Sequence, residues 1–310
     1  MFDRIGIVGL GALGILFGTL LQQSGADVSI LCDEARARRY RADGIICNGK
    51  HIEFRYRTIK ESEPMDLILF ATKASGLQGA METTAPFIDS NTLLISLLNG
   101  INSEEQIASR FGYEHVLWCT AQGMDAVKNR NDLRYVHAGS ITLGEKAEGI
   151  ISPRAQALAD WFLAHGVRAQ AVPDMVRRQW GKLMLNDGVN QVVMVYEGTY
   201  GTIQKPGAAR DQMLAAMRET QTLSRLEGYP ITDDEFDSWV RLVDSLDPKG
   251  KPSMRQDAEA RRPSEVQLFA GTVLKRAKKH GLETPVNRAL YERILTMEAA
   301  YATSQGNPHE

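Results

Sequence analysis

The chain has 310 residues, 43% of them hydrophobic, so it can bury a sizeable core and, at roughly 150 residues per domain, should form two domains. Its 36 lysine and arginine residues nearly balance its 38 aspartate and glutamate residues, which argues against nucleic acid or an anionic membrane as a partner and favours small molecules. The opening MFDRIGIVGL does not have the pattern of a secretory signal, and no apolar run approaches the roughly 20 residues that span a bilayer. We therefore expect a cytoplasmic protein without membrane contact.

The first half of the chain alternates short aliphatic runs with helical stretches, which is typical of a parallel sheet buried on both faces. The runs cover residues 5–8, 28–31, 67–71, 93–97 and 116–119. Asn48-Gly49 between two strand-like runs predicts an antiparallel hairpin, and we expect a second antiparallel pair across residues 133–143. The cysteines at 32, 47 and 119 form no CxxC pair, so we interpret them as buried core residues.

The pattern changes near Pro173, beyond which the strand-like runs disappear. Long amphipathic segments take over at residues 207–227, 264–280 and 287–303. The sequence therefore predicts a first domain over residues 1–173 and an all-helical second domain over residues 174–310.

The most informative N-terminal motif is IGIVGLGALG, in which Gly9, Gly11 and Gly14 follow a strand and a helix opens at Ala12. The first glycine permits a tight turn, the second lets the backbone approach a pyrophosphate, and the third lets the helix pack closely on the strand. The helix N-terminus then faces the phosphates. The alternative is a glycine-rich turn that binds nothing, but the strand–turn–helix context favours a Rossmann-type dinucleotide-binding domain.

Asp33 follows the second predicted strand, where an acidic side chain can accept hydrogen bonds from a ribose hydroxyl and would repel a 2′-phosphate. That position favours NADH. Arg36, Arg38 and Arg39 come directly afterwards, and any of them could reach a phosphate as a fork-shaped donor. They could equally lie on a solvated helix face.

Two more polar side chains follow predicted strands at the edge of the sheet where ligands bind in open α/β folds. Lys73, in FATKAS, could reach a cofactor phosphate or the adenosine, although a lysine at a strand end is often merely exposed. Asn99-Gly100, in SLLNGIN, is ordinarily a turn-forming pair, but it could also meet the nicotinamide or the substrate.

The segment QWGKLMLNDGVNQ places Lys182, Asn186 and Asn190 at every fourth position of an apolar helix, so they share one face. Such a polar stripe either meets solvent or lines a pocket, and we expect it to face a cleft between the domains. Further on, Ser253 stands at a loop–helix boundary. Glu265 follows Pro263 and Ser264, where the plain interpretation is an N-cap serine and a first-turn acid.

Taken together, these motifs resemble the ketopantoate reductase (2-dehydropantoate 2-reductase) family in order and spacing. The matching blocks are GLGALG, the strand-end Lys73, Asn99-Gly100 after LISLL, WGKLMLNDGVN and PSMRQDAEARRPSE. The resemblance runs from the opening glycines to the last third of the chain. It implies an α/β Rossmann-type dinucleotide-binding domain followed by an all-α C-terminal domain, and an enzyme that reduces ketopantoate to pantoate in pantothenate biosynthesis.

The resemblance also implies roles for individual residues. Lys182 would donate the proton and Glu265 would hold the far hydroxyl of the substrate. Polar groups of the substrate or cofactor would be bound by Asn99, Asn186, Asn190 and Ser253. The cofactor site would comprise Gly9, Gly11, Ala12, Gly14, Asp33, Lys73 and Asn99, and no metal is implied. The chemistry is consistent, because hydride delivery to a ketone leaves an alkoxide that a lysine ammonium can stabilise and protonate.

Two positions depart from the family pattern. Members that use NADPH commonly have an arginine near the end of the second strand, where this chain has Asp33, so NADPH is the family expectation while NADH is possible or preferred. Leu98 replaces the frequent glutamine before Asn-Gly, which alters the surroundings of the nicotinamide. The resemblance leaves the substrate open among branched 2-oxo acids.

Three functions therefore remain at this point. The chain could be a ketopantoate reductase, a related reductase of another branched 2-oxo acid, or a non-catalytic dinucleotide-binding sensor. The presence of Lys182 and Glu265 argues against the sensor. Apolar helices near the C-terminus could form the face of a homodimer.

Overall fold

The computed structural model describes residues 2–304. The chain divides into two compact units, Met1–Val176 and Arg177–Glu310. Among the described residues, we find no helix with the length and apolar character needed to cross a membrane.

The strands all lie in the first unit. Those of the larger sheet are β1 (Arg4–Val8), β2 (Asp27–Leu31), β5 (Arg55–Arg57), β6 (Leu67–Phe70), β7 (Leu93–Ser96), β8 (Val116–Met124), β11 (Ala138–Gly144) and β12 (Ala169–Ala171). Those of the smaller sheet are β3 (Ile45–Cys47), β4 (Lys50–Ile52), β9 (Val127–Asn129) and β10 (Asp132–Arg134).

The helices occur in both units. The first unit contains α1 (Ala12–Gln23), α2 (Glu34–Asp43), α3 (Leu77–Thr84), α4 (Ser103–Phe111) and α5 (Pro153–Ala164), with short 3-10 turns at Ile59–Glu61, Ala74–Gly76, Ala85–Phe87 and Tyr113–His115. The rest are α6 (Met175–Val195), α7 (Tyr200–Gln204), α8 (Ala208–Leu226), α9 (Asp233–Ser245), α10 (Ser253–Glu259), α11 (Ala270–Lys279) and α12 (Pro285–Ser304).

The order of the larger sheet identifies where a ligand should bind. Its strands run β12-β11-β8-β7-β6-β1-β2-β5, and all neighbours from β8 to β5 are parallel. This parallel part has the strand order of a doubly wound dinucleotide-binding sheet. The order reverses between β1 and β6, where Val8 pairs with Phe70 at the carboxyl ends of both strands. Ligands bind at such a switch point, so the turns after Val8 and Phe70 mark the expected nucleotide site.

The parallel strands are buried on both faces, which explains their continuous aliphatic sequences. All four residues of β6 have 0% of their surface exposed, as do Leu94 and Ile95 of β7. Burying each such side chain completely contributes about 1.5–3 kcal/mol. The three cysteines are free and buried, as predicted.

The smaller sheet confirms one antiparallel prediction and corrects another. β3 and β4 pair across Asn48 and Gly49, whose φ angles of 47° and 77° suit a type I′ turn. The pair predicted across residues 133–143 is wrong, because β10 pairs with β9 while β11 pairs with β8. The Asp125 carboxylate accepts the backbone N–H groups of Val136 and His137, which holds the β10–β11 connection apart and prevents a hairpin.

The second unit is helical throughout its described residues, as predicted. Its long helices pack closely, as Gly188 of α6 shows. A Cβ atom there would lie 2.5 Å from Met217 Cγ and 2.9 Å from the Met213 carbonyl oxygen, both on α8. Only glycine therefore permits this approach of α6 to α8.

The helix predicted over residues 264–280 begins later than expected. α11 starts at Ala270, and Glu265 lies in a bend followed by turns. The Glu265 carbonyl accepts the N–H groups of Leu268 and Phe269, and the Ser264 N–H donates to Glu298 of α12 at 2.7 Å. The N-cap of α11 is Phe269, so the interpretation of Ser264 and Glu265 as the cap and first-turn acid of this helix is wrong.

Candidate functional site

The glycine motif forms a turn that only glycine can occupy at two positions. Gly9 has a φ of 98°, and a Cβ atom on it would lie 2.7 Å from Thr72 Cγ2 and 2.9 Å from the Ala71 carbonyl oxygen. A Cβ atom on Gly14 would lie only 2.0 Å from the Gly9 carbonyl oxygen. The first glycine therefore permits the turn, and the third lets α1 pack directly on it.

The N-terminus of α1 is suited to an anion. Its N-cap is Gly11, which offers no side chain to accept the first N–H groups, and its first turn contains no acidic residue. The intrahelical bonds begin with the Ile15 N–H, which donates to the Gly11 carbonyl at 3.1 Å. The N–H groups before Ile15 and the positive end of the helix dipole are an arrangement that can bind a phosphate.

A cavity of about 230 Å³ lies beside this turn, within the first unit. Its lining combines the turn after β1, the end of β2 and the segment after β6, and comprises Val8, Gly9, Leu10, Gly11, Ile30, Leu31, Cys32, Arg36, Tyr40, Thr72, Gly76 and Ala80. The hydroxyl oxygen of Thr72 is buried and has no hydrogen-bond partner among the described residues. An apolar pocket with a spare hydroxyl and a helix N-terminus fits the adenosine and phosphates of a dinucleotide.

Asp33 has a local role that the sequence reasoning missed. It is the N-cap of α2, where its carboxylate accepts the Arg36 N–H at 2.7 Å and contacts the Arg36 guanidinium at 3.1 Å. Both side chains are about half exposed. The signal was available, since aspartate is a preferred N-cap residue. Through this contact Asp33 adjoins the cavity described above, because Arg36 lines that cavity.

A second depression of about 530 Å³ adjoins Asp33. Its lining includes three acids, Asp33, Glu34 and Glu82, and one arginine, Arg38. The Glu34 carboxylate contacts the Lys60 ammonium at 3.3 Å and Asp33 contacts Arg36 at 3.1 Å, so two of the three acids are already paired. The remaining acid, Glu82, shares this lining with Arg38, so the charges around the depression are close to balanced.

Lys73 and Asn99 both stand at carboxyl strand ends, as predicted. Lys73 is exposed and precedes the 3-10 turn after β6. Asn99 is half-buried after β7, next to Gly100, whose φ is 88°.

The loop that carries Asn99 is held by a buried chain of hydrogen bonds that sequence reasoning missed. The Leu98 N–H donates to the Ser96 hydroxyl at 3.3 Å, Ser96 donates to Ser103 at 2.8 Å, and Ser103 donates to the Glu104 carboxylate at 2.8 Å. Glu104 is only 1% exposed. These bonds fix the backbone on either side of Asn99.

In the second unit, the predicted stripe lies on α6. Lys182 and Asn186 are half-buried, and Asn190 is buried. Asn190 Oδ1 accepts both the Ser253 hydroxyl and the Met254 N–H at 3.1 Å, and Asn190 Nδ2 donates to Asn186 Oδ1 at 3.2 Å. The structure therefore joins three predicted residues, Ser253, Asn190 and Asn186, in one hydrogen-bonded chain.

Lys182 extends the same face of α6 one turn before Asn186, a distance of about 6 Å along the axis. Glu265 is half-buried in the bend described above, in the same unit. A cation and an amide on one helix face, with Asn190 and Ser253 holding that amide in place, can bind a carboxylate and support a developing negative charge.

Cys32 lines the cavity beside the glycine turn. Burial raises the pKa of the Cys32 thiol to about 11, so it stays protonated and inert beside the nucleotide pocket. Within residues 2–304, no three His, Cys, Asp or Glu side chains are grouped as they would be to hold a metal ion.

Two family models match the chain. The model described as "Ketopantoate reductase PanE/ApbA" matches residues 5–148, and the model described as "Ketopantoate reductase PanE/ApbA C terminal" matches residues 174–298. The 2-dehydropantoate 2-reductase of Archaeoglobus fulgidus is 28% identical over 304 residues, which cover 96% of this chain and 98% of that protein.

Solved structures of the same fold also match. The ternary structure of D-mandelate dehydrogenase with NADH and anilino(oxo)acetate has a TM-score of 0.84 at 24% identity, covering 96% of this chain and 99% of that one. The 2-dehydropantoate 2-reductase from Geobacter metallireducens GS-15 has a TM-score of 0.82 at 27% identity, covering 94% and 99%.

Proposed function

The chain belongs to the ketopantoate reductase family, and we propose that it reduces ketopantoate to pantoate with a nicotinamide cofactor. The observation that carries the proposal is the chain of Ser253, Asn190 and Asn186 on the α6 face that also bears Lys182. This arrangement supplies a cation and neutral donors at helical spacing, as a 2-oxo acid requires.

The first unit binds the cofactor in this proposal. The turn at Gly9, the uncapped start of α1 and the spare Thr72 hydroxyl provide for its phosphates and adenosine. When bound, the nicotinamide supplies the hydride.

The hydrogen bonds made by the side-chain amides of Asn186 and Asn190 indicate different roles for the two residues. Asn190 uses its oxygen on Ser253 and Met254 and its nitrogen on Asn186, so we assign it the positioning of the α10 N-terminus and of Asn186. Asn186 uses only its oxygen, since its Nδ2 donates to no other residue in the described part of the chain. We assign that NH₂ group to the substrate carboxylate or hydroxyl.

Lys182 is the proton donor in this proposal. Its ammonium meets the ketone oxygen as negative charge develops and transfers a proton to it, a contribution that is typically worth about 10²–10⁴-fold in rate. Glu265 accepts a hydrogen bond from the far hydroxyl of ketopantoate. Its placement outside a helix supports this role, because the first-turn explanation for the acid no longer applies.

For the cofactor, we propose that NADH is used at least as well as NADPH. The support is that Asp33 follows β2, contacts Arg36 of the cavity lining and lines the adjoining depression with Glu34 and Glu82. The D-mandelate dehydrogenase of the same fold was solved with NADH.

A second candidate is a reductase of another 2-oxo acid, favoured by Leu98 beside Asn99 and by that same structural relative. The test is cofactor oxidation measured with ketopantoate, 2-oxoisovalerate and benzoylformate, each with NADH and NADPH. A higher kcat/KM for ketopantoate supports the first function, a higher value for either other acid supports the second, and no oxidation with any of them rejects both.

The role of Lys182 is tested in the same assay. Lys182→Met should bind NADH normally yet lose at least about 100-fold in kcat, because it removes the proton donor and keeps the aliphatic stem. Lys275→Met, at an exposed position of α11, is the matched control and should leave kcat unchanged. If Lys182→Met retains the wild-type kcat at saturating substrate, Lys182 has no part in the chemistry.

A further inference from the structure

A buried carboxylate lies on α6 directly after Asn186, on the adjoining face of the helix. Asp187 has 0% of its surface exposed. Its Oδ2 accepts the Thr220 hydroxyl of α8 at 2.6 Å, and its Oδ1 accepts Gln191 Nε2 at 2.6 Å. Gln191 Nε2 also approaches Asn287 Oδ1 of α12 at 3.4 Å. The cluster therefore ties α6 to α8 and α12.

The surroundings of Asp187 contain a second carboxylate and no ion-pair partner among the described residues. Glu219 of α8 accepts the backbone N–H groups of Val286 and Asn287 and the Asn287 side-chain amide, so its charge is stabilised at the start of α12. From α12, the side chain that acts on Asp187 is Asn287. On α6 itself, the charged residue of the polar stripe is Lys182. Burial, assisted by the charge of Glu219, raises the pKa of Asp187 to about 7, against the hydrogen bonds from Thr220, Asn287 and Gln191.

Thr220 can serve Asp187 in either protonation state. When Asp187 is ionised, the Thr220 hydroxyl donates to it. When Asp187 carries a proton, its Oδ2–H can donate to Thr220 Oγ1, while the Thr220 hydroxyl turns to the Ala216 carbonyl, which lies 3.3 Å away. Because a hydroxyl can rotate at little cost, both states keep their hydrogen bonds.

We propose that Asp187 is a positioning residue that exchanges a proton with solvent as anionic substrate binds to the neighbouring stripe of α6. The assignment of an anionic substrate rests on the proposed function. With Asp187 neutral, the stripe presents Lys182 and Asn186 to a substrate carboxylate without an opposing buried charge. With Asp187 ionised, the same helix carries a negative charge that repels the substrate.

The size of the coupling follows from the helix geometry. An α-helix is about 10 Å in diameter when its side chains are included. The Asp187 carboxylate, on the face next to Asn186, therefore lies on the order of 10 Å from a substrate carboxylate bound by Asn186. At an effective dielectric constant of about 20, two like charges at this distance shift a binding constant by about tenfold.

The first measurement is the pH dependence of chemical unfolding. Because the folded-state pKa of Asp187 is raised above its unfolded value of 3.8, its contribution to stability is fully present at low pH and is lost as pH rises through about 7. Asp187→Asn imitates the protonated form. The ratio of unfolding constants, wild type to Asp187→Asn, should rise about 100-fold from about pH 5 to pH 9. Asp237→Asn, on the exposed face of α9, should give a constant ratio.

Thr220→Val is the second variant. It removes a hydrogen-bond donor that favours the charged form of Asp187. The loss of stability that accompanies ionisation of Asp187 should therefore occur at higher pH than in the wild type. It keeps the proposal testable if Asp187→Asn does not fold. A constant wild-type to Asp187→Asn ratio, or a Thr220→Val transition at the wild-type pH, overturns the proposed proton exchange.

The second measurement is the KM for ketopantoate across the same pH range. It should rise about tenfold in the wild type and stay level in Asp187→Asn, with kcat changing alike in both proteins. If KM changes with pH in the same way in the wild type and in Asp187→Asn, ionisation of Asp187 does not affect substrate binding. This holds even if the unfolding data confirm that Asp187 exchanges a proton. If the protein does not reduce ketopantoate at all, the proposed function fails, while the unfolding titration still decides whether Asp187 exchanges a proton.

Discussion

Gly14→Ala tests whether the opening turn is built for close packing and for a dinucleotide. The added Cβ would lie 2.0 Å from the Gly9 carbonyl oxygen and 3.1 Å from its carbon. Ordinary contacts of this kind lie at 3.4–4 Å, so α1 or the turn must move by more than 1 Å. Both clashing groups are backbone, and no side-chain rotation can relieve the overlap.

Gly14→Ala should lower the free energy of unfolding by about 3 kcal/mol, which is the upper end of the range for small-to-large substitutions in a core. In a unit of this size, roughly 2–4 °C of Tm accompanies each kcal/mol, so the Tm of the first unit should fall by roughly 6–12 °C. The movement also displaces the N–H groups at the start of α1, so the Kd for NADH should rise at least tenfold, or about 1.4 kcal/mol.

The assay combines thermal unfolding, followed by the fluorescence of Trp118 and Trp161, with titration of NADH fluorescence. Gly79→Ala is the matched control, because a Cβ at that exposed position of α3 meets nothing within 4 Å. It should bind NADH normally and gain up to about 1 kcal/mol from better helix propensity. If Gly14→Ala melts and binds NADH like Gly79→Ala, the turn does not have the tight geometry described.

Two further substitutions address selectivity. Asp33→Ala should improve kcat/KM with NADPH relative to NADH and should cost about 1 kcal/mol of stability through the lost α2 cap; a strong NADPH preference in the wild type that survives the change would assign the choice to Arg36, Arg38 or Arg39. Glu265→Ala should shrink the ratio of kcat/KM for ketopantoate over 2-oxoisovalerate by about 10² or more, the value of a lost charged hydrogen bond of about 3 kcal/mol; an equal loss with both substrates would place Glu265 in the common chemistry.

The architecture was predictable because its signals are local and repeated. Each buried parallel strand is a continuous aliphatic run, and Asn48-Gly49 determines its own turn through two positive φ angles. The sequence did not reveal that β10 pairs with β9 and β11 pairs with β8. The connection between β10 and β11 is held by the Asp125 carboxylate, which accepts two N–H groups from residues 11 and 12 positions later.

The start of α11 was mispredicted for a similar reason. Ser264 and Glu265 match the local signature of a helix beginning, and nothing nearby in the sequence opposes it. The Ser264 N–H instead bonds Glu298 of α12, a partner that lies 34 residues later. The segment is thus tied to α12, and α11 begins only at Ala270, which leaves Glu265 outside the helix.

The α6 helix shows which part of a candidate site the sequence can supply. Four-residue spacing identified Lys182, Asn186 and Asn190, but Asp187 and Gln191 have the same spacing on the adjoining face and look equally promising. Only their partners distinguish the two faces. The Asp187 and Gln191 side chains bond to each other and contact Thr220 of α8 and Asn287 of α12, so they serve the packing of the helices. Asn186 bonds only through its oxygen to a described residue, which leaves its NH₂ group for a ligand. A polar residue in a buried helix therefore becomes a candidate for substrate binding when neighbouring helices do not satisfy all of its hydrogen bonds, and that information lies in tertiary contacts.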